Sequence, residues 1–143
     1  MAGFLLDTNV LSEFKRRDGP DPRVTAWLRA TSPDLLWASV LSFGEIREGI
    51  ERLAPGKRRD ELQQWLDRDL DQWFEQRILP VTRLIAERWG VLTARGFDKG
   101  TALSNIDGLI AATALEHDLT IVTRNVKDFA GLGVEIINPW ETA

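Results

Sequence analysis

Residues 106–125 read IDGLIAATALEHDLTIVTRN. Ile106 to Leu115 is a strongly apolar run of helical length. After the polar break at Glu116-His117-Asp118, Leu119 to Thr123 is β-branched and bounded by polar residues, so the segment reads helix, turn, buried strand. The same order recurs toward both ends of the chain. Gly3 to Leu6 is a short apolar strand that stops at Asp7-Thr8-Asn9, three residues of N-cap type, ahead of Val10, Leu11 and Phe14 on a helix. A second helix starts near Asp21 with Val24, Trp27 and Leu28 at helical spacing, and Leu35 to Ala38 is a second strand. A helix through Val40, Phe43, Ile46, Ile50 and Leu53 closes at Pro55-Gly56. From Lys57 to Arg77, Leu62, Trp65, Leu66, Leu70, Trp73 and Phe74 share one face of a long amphipathic helix. Ile78 to Val81 is a strand, a helix through Leu84, Ile85, Trp89 and Leu92 ends near Gly96, and Val134 to Ile137 is the last strand before Asn138-Pro139-Trp140.

Strands alternating with helices, with no hairpin signal and no repeat or linker, predict an α/β fold. We expect one domain over residues 1–143, a three-layer sandwich with a mainly parallel sheet of about five strands flanked by helices. Ligands bind such sheets at the carboxyl ends of the strands. Asp7, Ser39 and Asn125 each follow a predicted strand, so a site is expected there.

Composition removes many chemistries. With 143 residues, no cysteine and one histidine, His117, the chain cannot build thiolate or multi-imidazole zinc sites, a cysteine nucleophile or two-histidine nuclease chemistry within itself. His117, between Glu116 and Asp118 near a helix end, reads as a surface residue. The longest apolar run falls well short of the ~20 residues of a membrane span. No basic stretch precedes Gly3, so a cytoplasmic protein without membrane attachment is expected. The net charge of −4 counts against a nucleic-acid partner unless cations cluster locally. They do at Lys15-Arg16-Arg17, at Lys57-Arg58-Arg59, and at Arg95 with Lys99, although solvated helix ends are an equally ordinary reading of each. The tryptophans invite base stacking, but Trp65 and Trp73 share a face with leucines and Phe74, which favours core or a dimer interface; Trp27, Trp37 and Trp89 also fit buried patterns.

Oxygen chemistry remains. Asp7 reads as an N-cap or as a site acid. Glu45 follows Ser42 by three residues and Asp107 follows Ser104 by three, the spacing of a capping box. Helical periodicity already runs through Val40 and Phe43, however, which makes Ser42 interior, and Glu45 has neighbours, Gly44 and Ile46, that look buried. Asp107 heads the most apolar segment and should be partly desolvated. Three carboxylates converging on one sheet edge repel one another by several kcal/mol at intermediate dielectric. A divalent cation offsets that, and all-oxygen ligation favours Mg²⁺ or Mn²⁺. Asn125 either completes the cluster or caps the Val126 to Phe129 turn; Asp128, three residues on, reads as a solvated or capping acid.

The segments LLDTNVLSEF (5–14), SFGEIREGI (42–50) and IDGLIAATALEHDLTIVTRNVKDF (106–129) resemble, in order, the three signature segments of PIN domains of VapC-type toxins. The NPW at 138–140 resembles the FitB-like branch. The resemblance implies a metal-dependent endoribonuclease with Mg²⁺ or Mn²⁺ on Asp7, Glu45 and Asp107, homodimerisation, and inhibition by a small antitoxin that alone brings the pair to DNA. The fourth acidic position of many relatives falls on Asn125, a neutral ligand, so one metal or two stays open and Asp128 is an alternative. Thr8, Asn9, Arg47 and Arg124 also match. For Asn9 and Arg124 a support or phosphate-contact role is expected, and for Arg47 a salt bridge to the acids is an equal reading. Attack by water predicts 5′-phosphate products from RNA. Two rivals stand beside this: a non-enzymatic, metal-stabilised module that binds a partner, and a phosphatase of the haloacid dehalogenase type, which needs an acid where Asn9 stands.

Overall fold

Successive side chains of a strand leave opposite faces of the sheet. In strand β1 (Gly3–Leu6), Leu5 and Leu6 do so, and each enters a different half of the core. The computed structural model describes residues 3–98 and 103–141. After β1 come helices α1 (Thr8–Glu13) and α2 (Pro22–Arg29), strand β2 (Leu36–Ser39), and helices α3 (Val40–Glu51), α4 (Lys57–Gln64) and α5 (Asp71–Phe74). Strand β3 (Ile78–Leu79), helices α6 (Arg83–Asp98) and α7 (Asn105–His117), strand β4 (Leu119–Val122), helix α8 (Val126–Phe129) and strand β5 (Ile136–Ile137) complete the chain.

The strands form one sheet in the order β3-β2-β1-β4-β5, every pair parallel. From β1 the chain moves outward through β2 and β3, then returns to lay β4 and β5 on the other side. The strand order therefore reverses between β1 and β4, the crevice where such sheets hold ligands. Leu6, Leu36, Ala38 and Val122 face Val10, Leu11, Val24, Ile50, Leu66 and Phe74 on one side. Leu5, Leu119 and Ile121 face Ile85, Leu92, Ile110, Ala111 and Phe129 on the other. The three-layer α/β fold expected from the alternation is the one observed, and no described helix is long and apolar enough to cross a membrane.

Several local expectations need correction. The helix expected over Lys57 to Arg77 stops at Phe74 and is not uniform: Trp65–Leu70 is wound as a π-helix between α4 and α5, and Glu75 ends it at φ 52°. Trp65 is buried and Trp73 half exposed, yet both line one groove with Leu70 and Phe74. Gly44, expected to be buried, is exposed. The outer strands β3 and β5 hold two residues each, shorter than the apolar runs 78–81 and 134–137, because an edge strand has a partner on one side only. Of the basic pair Arg95 and Lys99, Lys99 lies outside the described residues.

Helix α7 is hydrophobic nearly all round because it is buried against both the sheet and α6. At its first turn Gly108 meets Trp89 of α6 so closely that a Cβ would stand 2.8 Å from Trp89 Cδ1 and 3.2 Å from Leu103 Cδ2. The absence of a side chain at Gly108 thus sets how near the head of α7 approaches α6. We expect Gly108→Ala to destabilise the fold by about 1–3 kcal/mol through overpacking. In urea titrations the double variant with Trp89→Ala should lose less than the sum of the two single losses, the mark of a shared contact.

Candidate functional site

Asp7 stands at the carboxyl end of the central strand, and the chain turns there into α1 because Asp7 is its N-cap. Its Oδ1 accepts a 2.8 Å hydrogen bond from Thr8 N, and its Oδ2 accepts one of 2.8 Å from Thr123 Oγ1 and a longer one, 3.4 Å, from Asn9 Nδ2. Thr123 ends β4's run, is wholly buried, and uses its whole hydroxyl. It donates to Asp7 and accepts from Asn9 Nδ2 at 3.2 Å and Asn125 N at 3.0 Å. Asn9 then ties back to the next residue, its Oδ1 accepting from Arg124 N at 3.3 Å. Capping and site roles coincide at Asp7.

Glu45 sits on the second turn of α3. Ser39, not Ser42, caps that helix, accepting from Leu41 N, so Glu45 is no capping-box acid. Instead the Thr8 hydroxyl donates to Glu45 Oε1 at 2.5 Å and lies 2.9 Å from Ser42 Oγ. Asp107 occupies the first turn of α7, where Ser104 caps its backbone N–H at 3.1 Å. Asn125 takes the N-cap position of α8 with no side-chain capping bond and is exposed, and Asp128 is exposed on the same short helix. Arg47 does not reach the site acids; it pairs with Asp67 of the π-helical segment. His117 is exposed at the opposite end of α7 from Asp107.

The electrostatics bind Asp7, Glu45, Asp107 and Asp128 into one group. Burial pushes the Asp7 carboxyl above its ordinary 3.8, the Thr123 and Thr8 hydrogen bonds oppose the rise, and the charges of Asp107 and Glu45 add to it. Burial likewise raises Asp107, opposed by the Ser104 hydroxyl and reinforced by the charge of Asp128. No lysine or arginine among the described residues pairs with any of the four. Glu13 shows what a structural acid looks like. It is as buried as Asp7, yet Arg16 Nη1 and Asp21 N both bond its Oε2, at 2.9 and 2.7 Å.

Asp7, Glu45 and Asp107 are the side chains that could hold a divalent cation. As they stand, no three His, Asp or Glu side chains among the described residues form a closed cage for one. An all-oxygen, water-rich environment with one or two carboxylates at a time is the manner in which Mg²⁺ is held when a substrate's oxygens supply the rest. The haloacid dehalogenase alternative requires an acid at position 9, and the amide there is already committed to Asp7, Thr123 and Arg124. Sequence reasoning missed Thr123 and Ser42. The signal for Thr123 was a hydroxyl closing an otherwise apolar buried strand; Ser42 gave none beyond its spacing.

A separate apolar groove of about 320 Å³ opens on the other helical layer, between Leu11 of α1, Phe14 just after it, Leu28 of α2, and Trp65, Leu70 and Trp73. Arg77 is stacked on the Trp73 ring at 5.1 Å and donates to the carbonyls of Pro33, Leu36 and Trp73.

Both raised carboxyls favour the protonated form in the fold. The stability they contribute is complete below the unfolded value of 3.8 and is lost as pH rises through their folded values. Asp107→Asn holds that position uncharged. In EDTA its unfolding free energy relative to wild type should therefore increase as the pH rises above about 4, read from urea titrations at each pH.

Among known proteins, the PIN domain family matches residues 4–133. The VapC ribonuclease Y4jK of Sinorhizobium fredii is 35% identical over 97% of this chain and 99% of its own. A crystal structure of FitAcB from Neisseria gonorrhoeae superimposes with a TM-score of 0.90 at 34% identity, covering 97% of this chain and 99% of the other. A toxin–antitoxin complex from Klebsiella pneumoniae contains a chain that superimposes with a TM-score of 0.70 at 28% identity, over 98% of this chain and 100% of the other.

Proposed function

The chain belongs to the PIN domain family, among its VapC- and FitB-like members, and we propose that it is a metal-dependent endoribonuclease, the toxin of a toxin–antitoxin pair. In this reading it acts in the cytoplasm and hydrolyses RNA phosphodiester bonds to leave 5′-phosphates. The observation that carries it is the buried Asp7 carboxylate at the strand-order reversal, in the field of Glu45 and Asp107 and with no protein cation paired to any of them among the described residues.

Asp7, Glu45 and Asp107 would hold Mg²⁺ or Mn²⁺, with Asn125 a neutral oxygen that could serve as a fourth ligand. The chemistry such an ion would supply is activation of a water and offset of the charge that gathers on the phosphate. The chain's own groups do the positioning. Thr123 and the Thr8 N–H fix both oxygens of Asp7, and the Thr8 hydroxyl fixes Glu45. Asp107, whose proton affinity burial increases, orients the attacking water and accepts its proton at a carboxylate oxygen. His117 stands at the far end of α7, so the leaving O3′ takes its proton from solvent. Attack by water instead of the neighbouring 2′-hydroxyl leaves the phosphate on the 5′ side of the downstream fragment.

The groove edged by Phe14, Trp65 and Trp73 is where we place the antitoxin. Its apolar lining and exposed indole suit a buried hydrophobic segment of a partner, and the likeness to a chain of a toxin–antitoxin complex supports such a partner. DNA is met only through that antitoxin, and the protein acts as a homodimer.

The test is cleavage of pooled cellular RNA by purified protein in Mg²⁺ or Mn²⁺, with Asp7→Asn alongside. Metal-dependent products with 5′-phosphate ends, lost in the variant, are expected. Equal cleavage by both proteins would indicate a contaminant or a different site. No cleavage together with retained antitoxin binding would leave a binding module. Thr123→Val, which removes the donor to Asp7 Oδ2, should lower metal affinity or activity by about 10–100-fold, as the loss of a group orienting a ligand does. Mn²⁺ titration followed by electron paramagnetic resonance separates the two effects.

A further inference from the structure

Arg124 leaves the same strand end as Thr123, is exposed, and makes no ion pair among the described residues. Its guanidinium instead lies over the ring of Trp140, 5.4 Å from the centroid. Trp140 is only 3% exposed and anchored in the core, with its backbone N–H donating to Asn138 Oδ1 at 3.0 Å. Its own indole Nε1 is buried with no protein acceptor, an unfavourable arrangement that a phenylalanine would avoid. What tryptophan gives in return is the strongest π-face for a cation. A guanidinium held by its face keeps its in-plane N–H fork available, and that fork matches phosphate oxygens.

Arg124 lines a cavity of about 410 Å³ together with Asn125, Lys127, Asp128, Asn138 and Glu141. Asn125, which lines this cavity, donates its N–H to the Thr123 hydroxyl that in turn donates to Asp7, so the cavity adjoins the acidic group. Two cations and two amides beside it are donors for a phosphate and a sugar, and the volume is that of a small-molecule pocket. We propose that the cavity takes the phosphate and ribose of the RNA nucleotide next to the scissile bond. Arg124 binds the phosphate there, and Trp140 is the positioning residue that aims it. The inference rests on the nuclease reading and adds to it a binding subsite and the device that orients it.

The experiment uses one short single-stranded RNA that the wild type cleaves. It measures kcat and KM in Mn²⁺, and equilibrium binding in EDTA, where nothing is cut, across a series of salt concentrations. Arg124→Ala should raise KM and weaken EDTA binding about tenfold with a smaller change in kcat. It should also flatten the slope of log K against log salt by about 0.7, the share of one single-strand phosphate contact. Arg124→Lys, which keeps the charge and loses the fork, should restore the salt slope but not the affinity. Trp140→Phe, which keeps a ring face but one weaker for a cation, should show a smaller share of the Arg124→Ala defect. Trp140→Leu, kept only if it melts cooperatively, should show much of the Arg124→Ala defect, and the two together should lose no more than Arg124→Ala alone. Unchanged KM and salt slope in Arg124→Ala, in a wild type that cleaves, overturns this inference and leaves the nuclease standing. So does a Trp140→Leu loss that adds fully to that of Arg124→Ala. A wild type that neither cleaves nor binds RNA overturns both.

Discussion

A carboxylate is buried at the carboxyl end of the central strand, and most of what surrounds it follows from keeping it there. Taking Asp7 out of water disfavours its charge, and only directed donors offset that. The donors come from three places: the first N–H of α1, the hydroxyl that closes β4, and, more distantly, the amide of Asn9. Each is held in turn, since Thr123 is buried and saturated and Asn9 is bonded at both ends of its amide. The acid is therefore rigid in position but not neutralised, because the donors carry no full charge and the neighbours are acids.

Much of this was legible in the residues. The order of elements follows from apolar run lengths and turn residues, and the acids were singled out because periodicity denied Glu45 its cap and placed Asp107 on an apolar helix. Other features were hidden for identifiable reasons. The π-helical winding at Trp65–Leu70 changes which residues share a face, and no spacing rule built on 3.6 residues per turn can see it. The partner of Arg47 depends on that same winding, which carries Asp67 toward α3. Thr123 was read as the end of a strand because a single hydroxyl in a β-branched run is favourable for strand structure in its own right. The distance between Asp7 and Thr123 in the chain gives no local hint that they touch.

The acidic net charge, which counts against a nucleic-acid partner, looks different once the cations are located. Arg16 is tied to Glu13, Arg58 to the Lys15 carbonyl and Arg59 to Glu51, while Lys15 lies 6.0 Å from the Trp65 ring. The basic clusters conspicuous in the sequence thus join α1, α3 and α4 to one another. The cations beside the acidic group, Arg124 and Lys127, stand apart in the sequence from any run of like charge. Charge counting over a chain and charge placement in a fold answer different questions.

The sheet order carries one more consequence, which concerns synthesis. β1 emerges first and pairs on one side with β2, but its other neighbour is β4, and the bond from Thr123 to Asp7 spans 116 residues. At a typical elongation rate of about 5–20 residues per second, several seconds or more separate the two ends of that bond. A nascent chain on its ribosome, surrounded by RNA, carries Asp7 but neither the hydroxyl that aligns it nor the helix that bears Asp107. The topology delays assembly of the site until α7 and the strand that leads to Thr123 have been made.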